Sequence, residues 1–137
     1  MRGLIILLLF SLTLGMNFWA GLKYPDVEPS IVGLLTTGIY LLALFSLRNK
    51  TILFLCTICS CLTGILFAME SSLIEIAFLD FLGAIRYPLY VFFIMPLFGL
   101  NKVFSLPIHS FAFLCTGIYM VLCLFCLVRV PKSLIAR

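Results

Sequence analysis

Charge is what this chain has least of. Its 137 residues hold five acids and nine basic residues, so charged side chains make up 10% of the whole, while 64% of residues are hydrophobic. Soluble domains average about 25% charged and roughly 45–50% apolar. A domain this short buries only about two thirds of the surface that its unfolded chain exposes, so water could not dissolve it. The expected solvent for most of the chain is the lipid bilayer, and the length allows one domain.

Other absences narrow the function. There is one histidine and one tryptophan, and the chain has no H-E-x-x-H, G-x-S-x-G or Walker loop. No polar stretch is long enough for a catalytic domain, so no enzymatic activity, cofactor or metal is expected. The net charge of +4 comes from basic residues scattered singly at the ends of apolar runs. That is the pattern of membrane-span flanks and gives no basic patch for a nucleic acid.

What is there is a series of apolar runs. The first covers about residues 3–22 and ends in Phe18-Trp19, an aromatic interface anchor. It is read as a retained span; a signal peptide would have a shorter apolar run. A loop with two prolines leads to Ser30, placed to cap a helix over about 31–47 through its hydroxyl. That run is near the lower limit of about 17 residues for crossing the hydrocarbon. After Arg48-Asn49-Lys50, Thr51 is the expected cap of a third run over about 52–69, and so short a turn makes the two helices antiparallel neighbours. The last clear run covers about 108–128, with Pro107 before it. The expected fold is therefore an all-α integral membrane protein, a small polytopic bundle of four transmembrane helices.

Residues 70–107 are less simple. They carry Glu70, Glu75 and Asp80, then Arg86, Pro88 and Pro96, within a mostly apolar sequence. Phe81 to Leu100 is long enough for a fifth span. Alternatively it enters from the outer side, breaks near Pro88 or Pro96 and returns. The second path puts Arg2, Arg48, Lys50, Arg129, Lys132 and Arg137 on one side with both termini cytoplasmic, as the positive-inside rule favours. A broken segment would have to sit against other helices or a watery cavity, because lipid tolerates no unpaired backbone.

Within it, Asp80 and Arg86 are the candidate functional charges, with Glu70 and Glu75 nearer a loop. Ionisable residues at membrane depth cost several kcal/mol unless paired or snorkelled. Six residues apart, Asp80 and Arg86 differ by about 240° around a straight helix and cannot pair along it. His109 reads as an interfacial polar anchor.

Small residues four apart mark expected packing faces: Ser11 and Gly15, Gly33 and Thr37, Cys56 with Ser60 and Gly64, Ala112 and Thr116. Two C-x-x-C pairs, Cys56/Cys59 and Cys123/Cys126, stand with Cys61 and Cys115 in apolar surroundings. Such burial disfavours the thiolate, so they read as packing residues, with Cys126 a candidate for S-palmitoylation.

In length and span count the chain is similar to the small multidrug transporters, but its first span lacks the buried acid on which those proteins depend. The function expected is that of an accessory, assembly or immunity-type subunit packing against a membrane protein partner. A small homo-oligomeric transporter or channel using Asp80 and Arg86 is the alternative.

Overall fold

The structure, a computed structural model, describes residues 2–47, 50–69 and 84–128. All regular structure among these residues is helical: α1 (Arg2–Leu22), α2 (Ile31–Leu47), α3 (Lys50–Ala68), α4 (Ala84–Phe104) and α5 (Ile108–Val128). Four of them are long and apolar enough to cross a membrane, namely α1, α3, α4 and α5, and α2 is a shorter apolar helix. Glu70, Glu75 and Asp80, and the basic residues Arg48, Arg129, Lys132 and Arg137, lie outside the described residues.

The helix starts follow the sequence closely. Ser30 caps α2 as expected, its hydroxyl accepting the Gly33 N–H at 2.9 Å. Helix α3 begins one residue early, at Lys50, so Thr51 lies in its first turn and not at the cap. The 23–30 connection makes α1 and α2 antiparallel neighbours, whereas α3, expected beside α2, packs chiefly on α5. Phe10 meets Tyr40 and Asn17 meets Thr37 along α1 and α2. Gly64 meets Phe113 along α3 and α5, and Phe45 near the end of α2 meets Phe125 near the end of α5. One end of the bundle therefore carries the 23–30 loop and the 105–107 turn.

Helix α4 lies between these two pairs and does not run straight. Its first turns touch the loop end: Tyr87 and Tyr90 pack edge-on against Phe67 of α3, and the Tyr90 hydroxyl donates to the Gly21 carbonyl of α1 at 2.9 Å. Further along, Tyr119, eleven residues into α5, donates its hydroxyl to the Phe93 carbonyl at 3.0 Å, well inside the bundle. Then the chain heads back. Pro96 meets Thr37, Gly99 meets Gly33 one turn nearer the start of α2, and Lys102 reaches Glu28 in the loop. Tyr87 and Pro107 consequently line the same cavity, whereas a straight helix would hold them about 30 Å apart. Length and composition place α4 among the spanning helices; its contacts bend it so that both its ends face the loop end.

Candidate functional site: a broken helix on a buried polar cluster

The bend has a local cause. Pro96 has no N–H to give, and its ring crowds the preceding turn, so regular α-winding cannot pass through it. Residues 84–89 are α-helical. Tyr90–Ile94 widens to π-winding, with the Met95 N–H donated five residues back to the Tyr90 carbonyl. Met95–Leu100 then tightens to 3₁₀-winding. Such changes of winding free backbone carbonyls that must find other donors. Pro88, the other expected break point, lies within the α-helical stretch 84–89.

Neighbouring helices supply those donors. The Pro96 carbonyl accepts from Asn17 Nδ2 at 3.3 Å and from Thr37 Oγ1 at 3.1 Å. Asn17 Nδ2 also donates to Thr37 Oγ1 at 3.0 Å, and Thr37 lies 2.8 Å from the Gly33 carbonyl of its own helix. Thr13, one turn before Asn17, donates to the Leu9 carbonyl at 2.6 Å. Asn17, Thr37 and Thr13 are all at most 1% exposed. A buried amide and hydroxyl are costly unless hydrogen-bonded, and here both find a partner in the Pro96 carbonyl at the bend.

Two glycines let the bend come close enough. A Cβ on Gly99 would strike the Gly33 carbonyl and Thr37 Oγ1, and a Cβ on Gly33 would strike Asn17 Oδ1. That oxygen has no hydrogen-bond partner among the described residues and rests against the bare Gly33 backbone. Every residue from Ile94 to Gly99 is buried, so the apex fills the bundle interior. Beyond it, Asn101 clamps the return. Its side chain accepts the Leu106 N–H at 2.8 Å and donates to the Leu106 carbonyl at 3.0 Å, holding Ser105 in the left-handed region at φ 49°.

Of the candidate charges, Arg86 alone lies among the described residues. It is buried, with its guanidinium 4.8 Å from the ring centres of both Phe67 and Tyr87, and it donates to the Tyr87 hydroxyl at 3.2 Å. A planar, weakly hydrated cation suits stacking on aromatic faces at the end of a bundle. Lys102 pairs with Glu28 at 2.6 Å. The Glu28 carboxyl is held below its ordinary value by the hydrogen bond from Lys102 and by that ammonium's charge. His109 is exposed at the start of α5.

The small residues divide. Gly33, Thr37, Cys56, Ser60, Gly64 and Ala112 are buried between helices, and Thr116 is half-buried, bonded to the Ala112 carbonyl. Ser11 and Gly15 face outward, with nothing near a Cβ on Gly15. Helix α1 packs instead through Thr13, Asn17, Ala20 and Gly21, the face that meets α2 and the bend. The six cysteines are free thiols, and no cluster of His, Cys, Asp and Glu among the described residues could hold a metal.

Sequence reasoning passed over Asn17, Thr37's second role and Tyr119. The signal was present: Asn17 is the one carboxamide inside the first apolar run, and a polar side chain at that depth needs a partner. No protein family, curated protein or solved structure matches the chain.

Proposed function

We propose that this chain is a multi-pass integral membrane protein that works without catalysis, as an accessory, assembly or immunity-type subunit packed against a membrane partner. In this reading α1, α2, α3 and α5 cross the cytoplasmic membrane and α4 enters and leaves from the outer side. Both termini are then cytoplasmic. The two limbs of α4 returning to one end of the bundle support that path, together with the six basic residues it gathers on the inner side.

The observation that carries the subunit reading is the contrast between interior and exterior. The apex Ile94–Gly99 closes the interior of the bundle, while α1, α3 and α5 each present large apolar side chains outward, such as Leu8, Leu55 and Phe125. Short connections leave little else for a partner to recognise. A chain built this way acts through its helix faces, against lipid and against other helices.

The alternative, a homo-oligomeric transporter or channel, draws on the bend itself. Broken helices whose free carbonyls lie inside the membrane are where many transporters hold substrate, and Arg86 stands on the first limb. Two experiments separate the readings. Reporter fusions after residues 50, 75 and 137 should report inside, outside and inside; an exported reporter at 137 overturns the path given to α4. Protein purified in mild detergent should co-elute with a distinct membrane protein. A discrete homo-oligomer with nothing else bound turns the assignment to transport.

A further inference from the structure

At the loop end of the bundle, between the first limb of α4 and the 105–107 turn, lies a cavity of about 510 Å³, within the roughly 300–1,000 Å³ of small-molecule sites. Its walls are mainly rings and aliphatic groups: Tyr24, Phe67, Tyr87 and Tyr90, with Leu22 and Ile108. Ser105 and His109 supply polar edges. None of the described lining residues is Asp, Glu, Lys or Arg. Nearby, Lys102 is engaged by Glu28, and Arg86 lies over Phe67 and Tyr87.

Three properties of a ligand follow from these walls. It is uncharged, because none of the described lining residues would repay the desolvation of an ion. It carries a flat ring, because four aromatic side chains offer faces and edges for offset or T-shaped contact. It can accept hydrogen bonds, because each polar side chain left over has a proton to give. The Tyr90 hydroxyl is spent on Gly21, but Tyr87 receives its bond from Arg86 and keeps its own proton to give. The side chains of Tyr24, Ser105 and His109 make no hydrogen bond among the described residues. Leu22 and Tyr87 are half exposed at the rim, which gives an apolar tail a way out along the bundle surface.

We propose that this cavity binds an uncharged, ring-bearing membrane lipid whose ring carbonyls accept hydrogen bonds, the chemistry of a quinone. The ring lies between Tyr24 and Tyr87, its carbonyls meet His109, Ser105 or Tyr87, and its tail passes over Leu22. The proposal rests on the membrane location given above but not on the subunit role. An exported reporter at residue 137 would overturn the path given to α4 while leaving the membrane location and the binding result to be read separately.

The test uses the full chain in detergent, titrated with a benzoquinone bearing a decyl tail and followed by isothermal calorimetry. Saturable one-to-one binding is expected. Dioleoylglycerol, which has ester carbonyls and no ring, should bind at least tenfold more weakly, and so should a decyl phosphate. His109→Trp, which fills the cavity from an exposed position, should weaken quinone binding at least tenfold while eluting from a sizing column like the parent. Tyr87→Ala, which takes away one ring wall and one hydroxyl donor, should also weaken quinone binding. Should His109→Trp fail to elute as folded, the comparison among the three ligands on the parent protein still decides. Absence of saturable binding, equal affinity for the diacylglycerol or the phosphate, or binding untouched by folded variants overturns the proposal.

Discussion

The α3–α5 pair and the seat of the bend on α1 and α2 solve the same packing problem in different ways. Between α3 and α5 the contact is made by small side chains and is forgiving: Gly64 lies under the ring of Phe113, and Cys56, Ser60, Ala112 and Cys115 are buried between regular helices. Against α1 and α2 the contact is backbone on backbone, Gly99 on Gly33, and is tied by hydrogen bonds from Asn17 and Thr37 to the Pro96 carbonyl at the change of winding. Regular helices arrive with their backbone bonds made and need only fitting surfaces. A broken helix arrives with bonds missing, so its neighbours must supply both room and donors.

The sharpest way to break this comparison is the same substitution on both sides. Gly99→Ala drives a methyl group into the Gly33 carbonyl, which cannot move without moving α2. The expected result is loss of folded protein from the membrane fraction, beyond the ~1–3 kcal/mol typical of overpacking. Gly64→Ala meets only the ring of Phe113, at 3.1 Å, and a ring can shift. Its thermal midpoint in detergent should fall by a few degrees at most. If the two variants behave alike, the contrast between the seams is wrong.

Asn17→Leu comes next. It removes the amide donor to the Pro96 carbonyl and leaves the Thr37 hydroxyl, whose one proton is shared with the Gly33 carbonyl. An under-satisfied buried group costs about 1–3 kcal/mol, read as a lowered unfolding midpoint. Thr37→Val in the same background should cost more than the sum of the single changes, because only then is the carbonyl stranded.

Tyr119→Phe removes the hydroxyl bonded to Phe93. Hydrogen bonds between membrane helices average about 0.6 kcal/mol and reach about 1.7. A freed carbonyl at the bend places this one in the upper half of that range. A loss below the average would mean that the Phe93 carbonyl is served in another way.

The smallest effect belongs to Glu28 and Lys102, an exposed pair on the loop. Exposed ion pairs contribute little. Because the Glu28 carboxyl is held below its ordinary value of 4.5, its contribution is complete above that value. It is lost as the pH falls through the lowered one. Glu28→Gln should therefore unfold slightly earlier than the parent at pH 7, and the two curves should converge in acid. A gap that persists or widens in acid would remove this pair from the account.

Much of this was legible from periodicity, capping and charge. The four regular helices fall within two residues of the limits read from the apolar runs, and Ser30 caps α2 where a hydroxyl was expected. Pro96 was one of two break points that the sequence offered. Choosing between it and Pro88 required the structure, because an isolated proline states only that an N–H is missing. Whether a helix absorbs that loss depends on which donors face it. Asn17 and Thr37 face Pro96, 79 and 59 residues away along the chain, and no local pattern ties those distances together.

The sequence by itself determined that this chain is helical and apolar, with few polar groups to spend and short connections that make successive helices antiparallel. Those follow from composition and period, which act over a few residues. Only the tertiary structure decided that α4 bends, that Gly99 lies on Gly33, and that Ser11 and Gly15 face outward while Thr13 and Asn17 face in. On helices apolar all around, every face satisfies the hydrophobic effect equally. The side that packs is then chosen by the small and polar groups that a neighbouring helix can meet.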